Sequence, residues 1–356
     1  MFYNDIIGTF CHCIPENQME INLNHRAMST GARALLFALV ISTSALSSLL
    51  SQLGILLLPL TSMLMTLLFL AERGKRPMLS VTASVLAVIL DFVFNALYSI
   101  CIVTSVLVAL LVYFSLTKSI FTKGECAITV TFIIAILFGY MMFSSAFFDL
   151  GKIDFNAALE YYGQIGDELR DEWMAAAEKM IAANTNANTK QALTPEFFEA
   201  VFDAMLASTV SMVVIFAFVL TGIMFKLLGI FLPMMLTNKK SIAGWHFILT
   251  PAYAYTFIAA YFISMFFTNA DTFSIAILNF VNVFTAIFAY LGFVFVLSIL
   301  EQRFSSKFAS LAVAVIALLI FNTAAAPLLA FAGTFAVIVY DKAKRIERGG
   351  NDFDKD

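Results

Sequence analysis

One carboxylate in this sequence stands where ionisation is costly. Asp91 lies inside the run "LAVILDFVFNALYS" (86–99), and of 24 acidic residues it alone falls within a predicted membrane span. A charged side chain at bilayer depth costs roughly 2.5–3.5 kcal/mol on insertion scales, so such a group faces a bundle interior or water and often marks a pathway. Asn95 follows one helical turn later and shares its face. Asn279 and Asn282 share a face of another span, and Asn322 sits at a helix break. If these faces converge, they assemble one carboxylate and several amides in the outer half of the membrane. That set would bind an amine or a cation, or hydrogen-bond the polar edge of a small molecule. The competing reading is structural: the amides join helices at about 0.6–2 kcal/mol per bond, and Asp91 is a hydrated helix end.

Catalytic pairings are missing from the sequence. The three histidines (His12, His25, His246) belong to no His-Glu-x-x-His motif, and neither a Gly-x-Ser-x-Gly elbow nor a Walker-type phosphate loop occurs. "CHC" (11–13) offers two thiolates without a second ligand pair, so no metal site is expected. The chain therefore reads as a non-enzyme without a cofactor, unable to hydrolyse ATP by itself.

The elements that must position Asp91 are membrane helices. Of 356 residues, 61% are apolar and 13% charged, whereas a soluble domain carries about a quarter charged residues. A bilayer solvates such a surface; a soluble fold cannot hide it. Basic density for a nucleic-acid surface is absent. Runs of about 20 apolar residues, each able to cross a hydrocarbon core about 30 Å thick, fall near 34–51, 53–71, 78–96, 98–116, 126–148, 206–228, 247–267 and 273–300. The stretch 308–340 is too long for one crossing, and "FNTAAAP" (321–327) divides it into a hairpin. The fold class is an all-α polytopic transmembrane bundle of about 8–10 spans. Basic clusters at 26–33, 73–76, 118–123, 239–240, 303–307 and 342–348 all fall on one side if both termini are cytoplasmic. That alternation supports an even number of crossings and favours ten. Lys226, near the inner end of its span, snorkels to the interface. Tyr253, Tyr255 and Tyr261 read as interface-belt residues or as a stacking surface for a ligand.

Residues 149–205 interrupt the apolar pattern with eleven acids against four bases. Phe155, Leu159, Tyr162, Ile165, Leu169, Trp173, Ala176 and Met180 recur at steps of three or four, which predicts an amphipathic helix. After the polar turn "NTNANT" (184–189), Thr194, Pro195 and Glu196 supply an N-cap, a first-turn proline and a dipole-matched acid. The second helix shows no stop signal before the next span, so the two are expected to form one rod. The result is a helical hairpin on the outer face: a structural cap, a partner surface or a gate.

Five regions follow: a cytoplasmic N-terminal segment (1–33), a first bundle of about five spans (34–148), the acidic insert (149–205), a second bundle of three spans plus the broken hairpin (206–340), and a charged cytoplasmic tail (341–356).

"TGARALLFALV" (30–40), "LLLPLTSMLMTLLFLAERGKRP" (56–77) and "GTFAVIVYDKAKRIE" (333–347) together resemble the YybS-like family of bacterial membrane proteins. That family in turn resembles the substrate-binding S components of energy-coupling-factor transporters. The resemblance implies a small-molecule ligand taken from the outer side and a separate ATPase module acting through a coupling membrane subunit. It also implies that Ala34 and Ala38, small residues four apart, form the docking face, since small side chains allow close helix approach. The alternative function is a non-catalytic scaffold for envelope assembly that uses the outer insert to hold an envelope protein.

Overall fold

In the computed structural model the described residues are 29–72, 77–94, 100–118, 120–149, 155–183, 194–235, 249–266, 272–304, 307–321 and 324–353. Among them the secondary structure is helical throughout, without strands. In chain order the helices are α1 (Thr30–Leu49), α2 (Leu58–Ala71), α3 (Met78–Phe94), α4 (Ile100–Lys118), α5 (Lys123–Asp149) and α6 (Phe155–Ala183). They continue with α7 (Pro195–Ala207), α8 (Thr209–Met235), α9 (Pro251–Ser264), α10 (Thr272–Arg303), α11 (Lys307–Phe321) and α12 (Ala325–Phe353). Among the described residues six apolar helical stretches are long enough to cross a membrane, and two shorter ones, Met78–Phe94 and Ala325–Asp341, accompany them. The chain is an integral membrane protein built as an all-α polytopic bundle with a helical hairpin inserted.

In lipid each backbone polar group must be satisfied within its own segment, which makes the helix the default for every apolar run. The helix ends are then set by local capping. Ser29 accepts from the Ala32 amide at 3.2 Å to open α1. Thr122 and Glu125 form a reciprocal capping box before α5, with bonds of 2.9 Å and 3.3 Å. A 3-10 segment, Ser51–Leu57, leads into α2, and Pro59 occupies the first turn of α2, where its missing N–H is harmless.

α2 is the hub of the first half. Every residue from Thr61 to Leu70 is buried, so the helix shows no polar face. It packs against α1, α4 and α8. α8 bridges the halves, lying against α5 and α2 on one side and α10 on the other. Thr131 of α5 and Thr221 of α8 are 3.1 Å apart at that seam, and Phe138 meets Phe216 edge-on at 5.2 Å. In the second half α10 and α12 form the most extensive helix pair. At their crossing Gly292 and Gly333 let the backbones touch: a Cβ at either glycine would run into the opposite helix's main chain. An aromatic ladder locks α9 beside α10, with Tyr253 stacked on Phe284 at 6.1 Å and Phe257 on Phe288 at 5.1 Å.

One departure from the sequence reading is local. The rod expected from 195 into the membrane is interrupted: α7 ends at Ala207, Ser208 leaves the helix, and α8 starts at Thr209. The last helix carries the charged segment on to Phe353.

Candidate functional site

Asp91 is buried, with 2% of its surface exposed. It lies near the end of α3, at the same end of the bundle as the α1–α2 connection and the start of α4. The Ser48 hydroxyl of α1 donates to Asp91 Oδ1 at 2.7 Å. The first-turn amide of Ile102 in α4 lies beside the carboxyl, yet Oδ2 has no hydrogen-bond partner. One turn before Ser48, the Ser44 hydroxyl is fully buried and likewise unpartnered. Thr61 and Ser62 on α2 carry two more buried hydroxyls without partners. An orphaned buried polar atom costs about 1–3 kcal/mol, so this end of the bundle holds oxygen-donor capacity that folding alone does not use.

Helix spacing explains the placement. Ser44 and Ser48 share a face of α1, Asp91 shares with Ala83 and Ala87 the buried face of α3, and α1 packs against α3. The neighbouring lipid-exposed residues Phe92, Val93 and Phe94 show that Asp91 is turned away from the hydrocarbon. Cys101, on α4, is buried and lies 3.5 Å from the Met141 sulfur of α5. α5 then runs on to Asp149, toward the hairpin α6–α7, so Asp91 and the hairpin are at one end of the bundle, the cap end.

Among the described residues, the hydrogen bonds of Asn279 run to groups other than Asp91. Asn279 is buried but fully engaged elsewhere. Its Oδ1 accepts from the Ser211 amide at 2.8 Å, and its Nδ2 donates to the Ala207 carbonyl at 2.6 Å and the Ile275 carbonyl at 2.9 Å. It therefore staples α10 to the α7–α8 junction, the helix-joining role rather than the ligand-binding one. Asn282 is half-buried on α10 and makes no side-chain hydrogen bond among the described residues. Asn95 and Asn322 lie outside the described residues. Ala34 and Ala38 are both exposed along one side of α1, with Leu35 and Leu39 beside them. Of the tyrosines, Tyr253 and Tyr261 are committed to aromatic contacts with Phe284 and Phe331, while Tyr255 is exposed.

Sequence reasoning passed over three groups. Ser44 and Ser48 carried a usable signal, a turn-spaced serine pair inside "ISTSALSS" (41–48). Glu72, just past α2, is 4% exposed and accepts from the Leu79 and Ser80 amides at 3.1 Å and 2.7 Å as well as from the Ser80 hydroxyl. It caps α3 from outside, and its position beside the basic turn concealed that role.

The hairpin is an antiparallel pair. Arg170 pairs with Asp203 and lies over the Phe202 ring at 5.6 Å, and the Trp173 indole donates to the Phe198 carbonyl at 3.0 Å. Thr194 caps α7 by accepting from Phe197 at 3.3 Å, with Pro195 and Glu196 in the first turn, as the local sequence dictates. Glu196 is held below the usual carboxylate range, first by its own backbone amide and then by the Thr194 hydroxyl.

Chemically, a carboxylate oxygen and nearby hydroxyls are hard donors suited to an ammonium group or a monovalent cation. Among the described residues no three of His, Cys, Asp and Glu come together. No family model, no curated protein and no solved structure matches the chain.

Proposed function

We propose that this integral membrane protein is transporter-like and binds a small amine-bearing or cationic molecule at Asp91, entering from the cap end, read as the outer side. The observation that carries this is the buried carboxylate, held by Ser48 through Oδ1, whose Oδ2 has no partner. Such a group inside an apolar bundle is costly unless something else uses it. The resemblance to YybS-like proteins and S components adds a coupling subunit and a separate ATPase as energy source. The exposed Ala34 and Ala38 leave room for that subunit to approach α1. The resemblance supports a bacterial inner membrane for this reading, and the distribution of Lys and Arg supports both termini in the cytoplasm.

The test is a thermal-shift panel on detergent-purified protein with alkali cations, small amines and water-soluble vitamins. At least one compound should raise the wild-type melting temperature, and Asp91→Asn should abolish that shift while inserting normally. No stabilisation by any compound would count against binding. If Asp91→Asn and Asp91→Leu both respond like wild type, Asp91 is only the structural partner of Ser48.

A second reading is a scaffold for envelope assembly. It is favoured by the exposed apolar residues Leu169, Met180 and Phe197 on the hairpin. Deleting 152–192 separates the two: lost partner capture with unchanged uptake supports the scaffold.

A further inference from the structure

The break between α7 and α8 has an identifiable agent. In an unbroken helix the Ser211 amide would bond the Ala207 carbonyl, four residues back. Here the Asn279 side chain occupies that gap: Oδ1 takes the Ser211 proton at 2.8 Å and Nδ2 gives one to Ala207 at 2.6 Å. On either side of it the Ser208 amide bonds the Ala204 carbonyl at 3.1 Å and the Met212 amide bonds the Ser208 carbonyl at 3.0 Å. Insertion of a side chain into the ladder is a recognised cause of a sharp helix kink.

We propose that Asn279 is the latch of a two-state hinge that sets the position of the hairpin over the cap end of the bundle. In the latched state the amide bridges the gap and α7 and α8 are separate helices, interrupted at Ser208. In the released state the Ser211 amide bonds Ala207 directly, and α7–α8 becomes one helix. Both states satisfy these two backbone groups, which is what makes an element bistable rather than merely soft. Asn279 keeps its bond to the Ile275 carbonyl in either state, while release costs Oδ1 its donor and so favours the latched state. Movement of α7 carries α6 with it, because Trp173 and Arg170 grip Phe198, Phe202 and Asp203. The hinge stands independently of what, if anything, binds at Asp91.

The lever arm is measurable. Nine residues separate Glu199 from Ser208, an arm of about 13 Å at 1.5 Å per residue. A kink of about 20° therefore moves Glu199 sideways by about 4–5 Å. Spin labels at Glu199→Cys on α7 and Ile136→Cys on α5, both exposed, report that motion in the full-length protein in nanodiscs. Cys11→Ser and Cys13→Ser remove other reactive thiols, and Cys101 and Cys126 are buried.

Asn279→Ala is expected to shift the label distance by about 4–5 Å relative to wild type. Adding Ser211→Pro is expected to return it, since proline has no amide proton for the straight helix and is tolerated in a first turn. Should Asn279→Ala give no folded protein, Asn279→Ser, too short to span both backbone groups, serves in its place. A shift reversed by Ser211→Pro supports the latch. An unmoved distance in the Asn279 variant, or a shift that Ser211→Pro leaves in place, overturns it.

Discussion

Replacing Gly333 or Gly292 by alanine tests how closely the second half of the bundle is built. Membrane helices gain little from hiding apolar surface from lipid, so their association depends on van der Waals packing over small residues. At the α10–α12 crossing a Cβ on Gly333 would meet the Phe288 carbonyl, and a Cβ on Gly292 would meet the Leu329 carbonyl. Both obstacles are main chain, which cannot rotate aside as a side chain would; the helices must part. Overpacking of this kind costs about 1–3 kcal/mol, and a rigid obstacle argues for the upper part of that range. Alanine recovers about 1 kcal/mol of helix propensity, leaving a net loss of about 2 kcal/mol per substitution. The double variant should cost much less than the sum, because helices already parted for one methyl accommodate the other; neighbouring sites are non-additive by 0.5 kcal/mol or more, up to about 3. Gly139 and Gly222 supply controls, since a Cβ at either meets nothing within 4 Å. Alanine there should be neutral or stabilising by up to about 1 kcal/mol. Reversible denaturant unfolding in mixed micelles measures all five proteins. Loss below about 0.5 kcal/mol at Gly333 and Gly292, or equal effects at the control sites, would refute the close-contact reasoning.

Two further predictions concern caps. Glu72→Ala strips the acceptor from the Leu79 and Ser80 amides and should cost about 1–2 kcal/mol, the usual worth of a lost N-cap; Glu72→Gln, which keeps an acceptor oxygen, should lose less in the same unfolding assay. Glu196 contributes stability above the ordinary glutamate range, because its folded pKa is depressed, and that contribution disappears as pH falls through the folded value. The melting temperature of Glu196→Gln should therefore lie below wild type at neutral pH and converge with it under acid conditions; a gap that persists in acid would show that the charge is not responsible.

What the sequence determined by itself was everything that propagates along the chain. Apolar runs specified helices because lipid leaves backbone groups no other partner, and Thr194-Pro195-Glu196 marked a helix start because capping is local. The acidic insert read as an amphipathic hairpin for the same reason. Asp91 was recognisable as an anomaly, since a lone acid in an apolar run needs no partner to be noticed. Its partner was not recognisable. Ser48 lies 43 residues away, Ser211 lies 68 from Asn279, and Gly292 meets Gly333 from another helix. Only packing decides which faces meet, and an asparagine in an apolar helix looks the same whether it awaits a ligand or fills a gap in a neighbour's hydrogen-bond ladder. The tertiary structure commits Asn279 to the α7–α8 junction and leaves Asp91 Oδ2 without a hydrogen bond.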